Sequence, residues 1–241
     1  MERKEDVAAR SKKSERGDPS SLVAGKTRGT YSGFRILDAG AGELKNKQFC
    51  AHLRYVSQDS CQYDGKGDAA GLHPGAWDTS GIDLVCDITA IPEPDESFDA
   101  ILCSEVLEHI PEPTKALDEF ARLLRQGGTL IITAPFASLV HMAPYHYVTG
   151  FSRYWYEEHL PRRGFRIQEL TPNGDWFAYL QQELKRLGSM ARLYGDWSWP
   201  IAYALGVLGV LYVKARAGRK ADDVACFGWH CVAVKERRER V

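Results

Sequence analysis

Ile36-Leu37-Asp38-Ala39-Gly40-Ala41-Gly42-Glu43 is the stretch that decides how the rest of this 241-residue chain reads. An apolar run meets an acid and passes into a turn with glycine at alternate positions. Glycine reaches positive φ without steric cost and presents no Cβ to anything that approaches the backbone. A strand ending in such a turn is the place where open α/β sheets bring the main chain against a ligand.

Reading outward, the same grammar repeats. Phe34 to Leu37 forms a first strand that ends on Asp38, and Tyr55 to Gln58 a second that ends on Asp59. Ile82 to Cys86 forms a third, ending on Asp87. Phe98 to Cys103 forms a fourth, left through Ser104-Glu105. A weakly patterned helix is expected over 45–53, and a loop over 60–80. Pro113-Thr114 opens a well-marked helix with Ala116, Leu117, Phe120, Leu123 and Leu124 on one stripe, expected to close at Gly127-Gly128. Strands follow over 129–133, 164–170 and 226–234. Helices are expected over 176–194 and 199–215. Strands alternating with helices predict an α/β fold, with a mainly parallel sheet covered on both faces and ligands bound beyond the carboxyl ends of the strands. Asp38, Asp59, Asp87 and Ser104-Glu105 all fall at such ends.

The composition is that of an ordinary globular protein, 44% hydrophobic and 26% charged. A net charge of −1 gives no electrostatic reason to expect nucleic acid as a partner. Residues 1–30 interleave Lys and Arg with Glu and Asp around no apolar segment. They read as a disordered charged tail, with a folded region over 31–236 and a short charged tail over 237–241. The six cysteines show neither a paired spacing nor a metal-ligand spacing and read as reduced thiols of a cytoplasmic protein.

The acids around the turn carry the chemical information. A dinucleotide brings a pyrophosphate, which wants backbone amides and no anion nearby. Asp38 stands just before the turn and Glu43 just after it, so two carboxylates would repel that group. A sulfonium cofactor with an ammonium group is favoured by the same carboxylates. Asp59, 21 residues beyond Asp38, is placed to accept from ribose hydroxyls; the alternative is a surface acid in a Gln-Asp-Ser turn. Asp87 would accept from an adenine amine while Ile88 packs on the ring; the alternative is an N-cap or turn acid.

Taken together, Asp38 to Gly42, Asp59, Cys86-Asp87-Ile88, the run from Phe98 to Pro111 and Arg125 to Pro135 resemble the class I S-adenosylmethionine-dependent methyltransferases of type 11. The resemblance covers about Phe34 to Leu170 plus the terminal strand. It implies a Rossmann-like, doubly wound seven-stranded sheet whose last strand is antiparallel. It also implies S-adenosylmethionine as cofactor, held by Asp38, Ala39, Gly40, Ala41, Gly42, Asp59, Asp87, Ile88, Ser104 and Glu105. Two features depart from it. Glu43 stands where the turn's third small residue belongs, and an insertion of about 55 residues (171–225) separates the last two strands. The segment from Pro144 to Phe165 is similar to methyltransferases of polysaccharide and glycolipid assembly, which makes a small molecule, a sugar or a lipid-linked acceptor the expected partner.

Methyl transfer asks for an acceptor held in line in a dry site, with a general base only for some acceptors. His109, His141 and His146 are the candidate bases, His109 and His146 foremost; for His109 a structural or cofactor-packing use fits at least as well. His141 and His146 lack a carboxylate or thiol at helical spacing, so no metal centre is expected. Phe151 to Leu160 is strongly aromatic, either a helix against the sheet or an acceptor wall. Residues 197–213 carry no charge, have aromatics at both ends and are followed by Lys214, Arg216, Arg219 and Lys220. A buried cap, dimerisation and peripheral membrane contact all fit this run. Two rival functions are weighed. A scaffold with a degenerate fold would not need acids at three successive strand ends, and an NAD(P)-dependent oxidoreductase is opposed by Glu43.

Overall fold

Seven strands form one sheet in the order β3-β2-β1-β4-β5-β7-β6. The computed structural model describes residues 33–68, 70–215 and 221–237. The expected tails, 1–30 and most of 237–241, lie outside them. The strands are β1 (Arg35–Ala39), β2 (Arg54–Asp59), β3 (Leu84–Val85), β4 (Phe98–Ser104), β5 (Leu124–Pro135), β6 (Phe165–Asn173) and β7 (Gly228–Lys235). Pairing is parallel from β3 through β5, while β7 runs antiparallel to both β5 and β6. The Rossmann-like α/β sheet with an antiparallel last strand is therefore present.

The chain order reverses between β1 and β4, so the carboxyl ends of these two strands flank the topological crossover. The main core lies on one face. Leu37, Ala39, Ile101, Cys103, Leu130, Ile132, Cys231 and Ala233 point there and meet Leu117, Phe120, Tyr156 and Leu160 from helices α1 (Pro113–Leu123) and α2 (Arg153–His159) and the residue after α2. The alternate residues Ile36, Leu102 and Ile131 face the other way into a smaller cluster with Cys50, Phe49, Leu53 and Tyr55.

Three sequence expectations are corrected. The helix over 45–53 is only a 3-10 turn, Lys47–Phe49. Leu44 takes a φ of +59° and the Asn46 side chain reaches back to Asp38, so the first turn cannot wind as an α-helix. Neither the β1–β2 nor the β2–β3 connection then carries an α-helix among the described residues, and the cover of the second face is correspondingly thin. The third strand shrinks to Leu84–Val85, because Asp83 spends its carboxylate on the amide and hydroxyl of Ser57. Helix α1 stops at Leu123 rather than at Gly127-Gly128: β5 begins at Leu124, opposite Phe98, and Gly127 bends the strand at a φ of +80°.

The insertion folds as an antiparallel pair, α3 (Trp176–Leu193) and α4 (Trp199–Lys214). Asp175 caps α3 by accepting from the Ala178 amide at 2.8 Å, and Pro200 starts α4 with the φ a first turn needs. Small residues let the two helices touch: a Cβ on Gly206 would lie 2.4 Å from the Leu184 carbonyl oxygen. The glycines that weaken α4 as an isolated helix are thus what seat it. Residues 171–173, expected in the insertion, belong to β6.

Candidate active site

Beyond Ala39 the chain turns through Gly40 and Gly42, both at positive φ, +75° and +50°. The Gly40 and Ala41 amides donate to the Gln58 carbonyl, each at 2.8 Å, and the Gly42 amide donates to Asp59 Oδ2 at 3.0 Å. The turn is thereby tied to the end of the neighbouring strand. A Cβ on Gly40 would fall 2.5 Å from Val106 Cγ1, and one on Gly42 would fall 2.8 Å from Trp77 Cζ2. Glycine is required here by both conformation and space.

Asp38 is 1% exposed. Its carboxylate accepts from Tyr55 Oη at 2.6 Å and Asn46 Nδ2 at 3.4 Å, so it braces the turn from beneath and does not open onto the cleft. Burial pushes its carboxyl up to about 6 against the lowering effect of those two donors. Asp59 lies on the rim. Its Oδ1 accepts from the Cys61 amide while Oδ2 holds Gly42, and each oxygen keeps a second lone pair for a hydroxyl. Asp87 is exposed and accepts from the amide and hydroxyl of Thr89, both at 2.7 Å, in an Asx-type turn. Ile88 packs into the main core. Ser104 shares a hydrogen bond with Thr133 at 2.9 Å, and Glu105 takes a φ of +56° as β4 ends. A non-glycine residue in that region is costly and recurs where backbone geometry serves function.

Two loops cross this rim through contacts that no local pattern announces. In the 60–80 loop the Leu72 amide donates to the Val140 carbonyl, and Met142 donates back to Leu72, forming a short bridge to the segment after β5. His73 Nε2 meets the Ala70 carbonyl at 2.7 Å, so it carries the proton and Nδ1 accepts from Tyr63 Oη. Trp77 stands against Tyr63 and lies across Gly42. Only the aromatic residues among the glycines and acids of 60–80 hinted at an ordered cover.

His109, His141 and His146 come together beyond the ends of β4 and β5, with ring centroids 4.7 to 6.0 Å apart. His109 Nδ1 lies 2.5 Å from the Tyr145 carbonyl, and burial pulls its pKa down to about 4. A base that weak is poorly matched to neutral pH. His146 sits 3.0 Å from Ser138 Oγ and is lowered by burial as well. Glu108, only 1% exposed, stands beside His109 and His141, supplying the carboxylate that linear spacing did not offer. Phe151, Trp155 and Tyr156 pack against one another within α2 and the main core, so much of the aromatic stretch is structural.

A depression lined by Arg35, Arg54, Ser97, Asp99 and Arg125 opens at the opposite, amino ends of the strands. Glu93 engages Arg35 there and Asp99 engages Arg125. It lies far from the crossover and takes no part in the site.

The residues at the crossover fit S-adenosylmethionine. Asp59 keeps a lone pair on each carboxylate oxygen for a hydroxyl, and exposed Asp87 offers a carboxylate suited to an amine. When bound, that cofactor supplies an already activated methyl group. What falls to the chain is to hold the turn, which Asp38 and Asp59 brace.

A family model described as a methyltransferase domain matches residues 37–132. The chain is 44% identical over 174 residues to a ubiquinone biosynthesis O-methyltransferase of Xanthomonas oryzae pv. oryzae, covering 69% of each protein. It is 30% identical over 178 residues to a demethylmenaquinone methyltransferase of Renibacterium salmoninarum, covering 71% of this chain and 68% of that one. Among solved structures, Haemonchus contortus phosphoethanolamine N-methyltransferase 2 in complex with S-adenosyl-L-methionine superposes with a TM-score of 0.53 at 16% identity, covering 92% of this chain and 53% of that one. Burkholderia thailandensis 1,6-didemethyltoxoflavin-N1-methyltransferase, with S-adenosylhomocysteine bound, also gives 0.53, at 13% identity, covering 92% and 78%. The glycine turn braced by buried and rim carboxylates at the crossover, together with these relatives, establishes that the chain belongs to the class I S-adenosylmethionine-dependent methyltransferases.

Proposed function

We propose that this methyltransferase acts on a lipophilic small molecule of the quinone type, taken from a lipid surface on which helix α4 rests. Support comes first from the relatives, whose names place them in ubiquinone synthesis and on demethylmenaquinone. The observation that carries the reading is α4 itself. It is apolar on every side yet buries only Gly206 and Val213, leaving Ile201, Leu205, Leu208 and Leu211 exposed, Leu208 at 62%. Trp197 and Tyr203 toward one end and Tyr212 toward the other are exposed as well, and Lys214 opens the basic run that follows in sequence. Aromatics flanking an apolar helix next to basic residues match the chemistry of a bilayer interface. Among the described residues no helix is long and apolar enough to cross a membrane, so contact would be from one side.

The reading favours a quinone-type acceptor over the sugar or glycolipid also expected from sequence. It is tested with labelled S-adenosylmethionine, the purified protein and liposomes doped with demethylated quinols or with glycolipids. Methylation of the quinols is expected. Methylation of the glycolipids alone would overturn it, and failure of S-adenosylmethionine to bind in calorimetry would overturn activity altogether. A dimer in solution that keeps the protein off liposomes would assign α4 to self-association instead.

A further inference from the structure

We propose that Glu108, His109 and His141 form a binding site for one divalent transition-metal ion of the zinc class. The inference is independent of which acceptor is methylated. Glu108 and His109 lie in the 3-10 turn Leu107–His109 that leaves β4, and His141 lies in the loop after β5. Folding brings them together: Glu108 Oε1 is 3.8 Å from His109 Nε2 and 3.9 Å from His141 Nε2, and the three ligand atoms lie within 4.8 Å of one another. Two ligands about 2.1 Å from a tetrahedral ion are themselves about 3.4 Å apart, so closing on an ion requires the two Glu108 pairs to contract by about half an ångström and the His109–His141 pair by up to about 1.4 Å.

The protons are arranged as a metal site needs them. His109 Nδ1 faces the Tyr145 carbonyl at 2.5 Å and His141 Nδ1 faces the Leu139 carbonyl at 2.9 Å. A carbonyl only accepts, so both rings carry their proton on Nδ1 and, when neutral, turn an Nε2 lone pair toward the same carboxylate oxygen. Backbone carbonyls that orient the far nitrogen are the usual second support of metal-binding histidines. Two imidazole nitrogens and a carboxylate oxygen are the donor set that a zinc-class ion takes.

The frame is built before any ion arrives. The Tyr147 and Val148 amides both donate to the Glu108 carbonyl, at 2.9 and 3.3 Å, fastening the two segments together. The Leu72 bridge holds the backbone of His141 from the other side. The Glu108 side chain is 1% exposed and that of His141 30%, which leaves an access route and an outward position for solvent or an acceptor oxygen. His146 stays outside the set, its Nε2 engaged by Ser138.

The test uses the full chain purified without a histidine tag. Metal content is measured by inductively coupled plasma mass spectrometry, and after chelator treatment Zn2+ affinity is measured by competition with a chromophoric chelator. Co2+ serves as a spectroscopic probe. Expected are one ion per chain, cobalt d–d bands of low coordination number, and a thermal midpoint raised by Zn2+. His141→Ala and Glu108→Gln should each weaken the ion at least about tenfold and abolish the thermal shift, whereas His146→Ala should keep the stoichiometry. His141→Ala alters a partly exposed ring and serves where Glu108→Gln fails to fold. Wild-type protein that binds Zn2+ no more tightly than His141→Ala would overturn the proposal. Calorimetry of S-adenosylmethionine on the same metal-free protein tests the methyltransferase site separately.

Discussion

The two halves of the rim are built by different means. On the cofactor half, the turn from Gly40 to Gly42 is shaped by its own backbone conformation and fastened to residues 17 or 18 positions away, Gln58 and Asp59. On the half that carries the histidines, only the backbone of His109 is held locally, its amide donating to the Val106 carbonyl at 2.8 Å. Its environment is made by Tyr145, 36 residues on, and by His141 and His146 from the same distant loop. A half defined by local steric rules should fail abruptly when one atom is added. A half defined by convergence should fail by degrees as each contact is removed.

The largest effect is expected at Gly40. Gly40→Ala adds a Cβ at 2.5 Å from Val106 to a residue with a φ of +75°. It should cost about 2–4 kcal/mol of folding stability and abolish cofactor binding, read by urea denaturation and calorimetry. Tolerance of this change would mean that the turn is not the rigid element described.

Asp59 comes next. Asp59→Ala releases the Gly42 and Cys61 amides together, and S-adenosylmethionine affinity should fall about ten- to a hundredfold, with Asp59→Asn intermediate. Equal affinities across the three proteins would remove Asp59 from the cofactor site.

Asp38 yields a pH dependence. Its folded-state pKa, about 6, lies above the ordinary 3.8, so the folded protein binds this proton more tightly than the unfolded chain. Its contribution to stability is therefore greatest below about pH 4, declines as pH rises to 6 and is flat above. The total loss is at most about 3 kcal/mol. Tyr55→Phe removes a donor that lowers this pKa and should move the decline to higher pH. Asp38→Asn should erase it in the difference between wild-type and variant denaturation curves.

The smallest effect on folding is expected on α4. Leu205→Ser with Leu208→Ser alters exposed positions and should change stability by no more than about 0.5 kcal/mol per site. If the helix rests on lipid, the double variant should lose co-sedimentation with anionic liposomes while binding S-adenosylmethionine normally. Unchanged co-sedimentation would remove α4 as the lipid contact.

Legibility from sequence follows the same division. The acids at the ends of β1, β2 and β4 and the helices α1, α3 and α4 could be read because caps, proline and apolar period act within a few residues. Pro113 at the start of α1 and the apolar stripe from Ala116 to Leu124 are examples. Over 45–53 a weak pattern points to a helix, while a left-handed Leu44 and the Asn46–Asp38 contact break its first turn. The third strand was overestimated because the side chain of Asp83, and not a ladder, ties that segment to β2.

The sequence by itself determined the turn, the order of strands, the cofactor class and the position of an apolar helix, since each follows from covalent neighbours and short-range sterics. Only the tertiary structure decided that Asp38 braces the turn from beneath, that Trp77 lies over Gly42, and that Glu108 meets two histidines. Those arrangements join segments up to about 35 residues apart, and their geometry depends on how neighbouring strands and the loops that follow them come together, which no local pattern encodes.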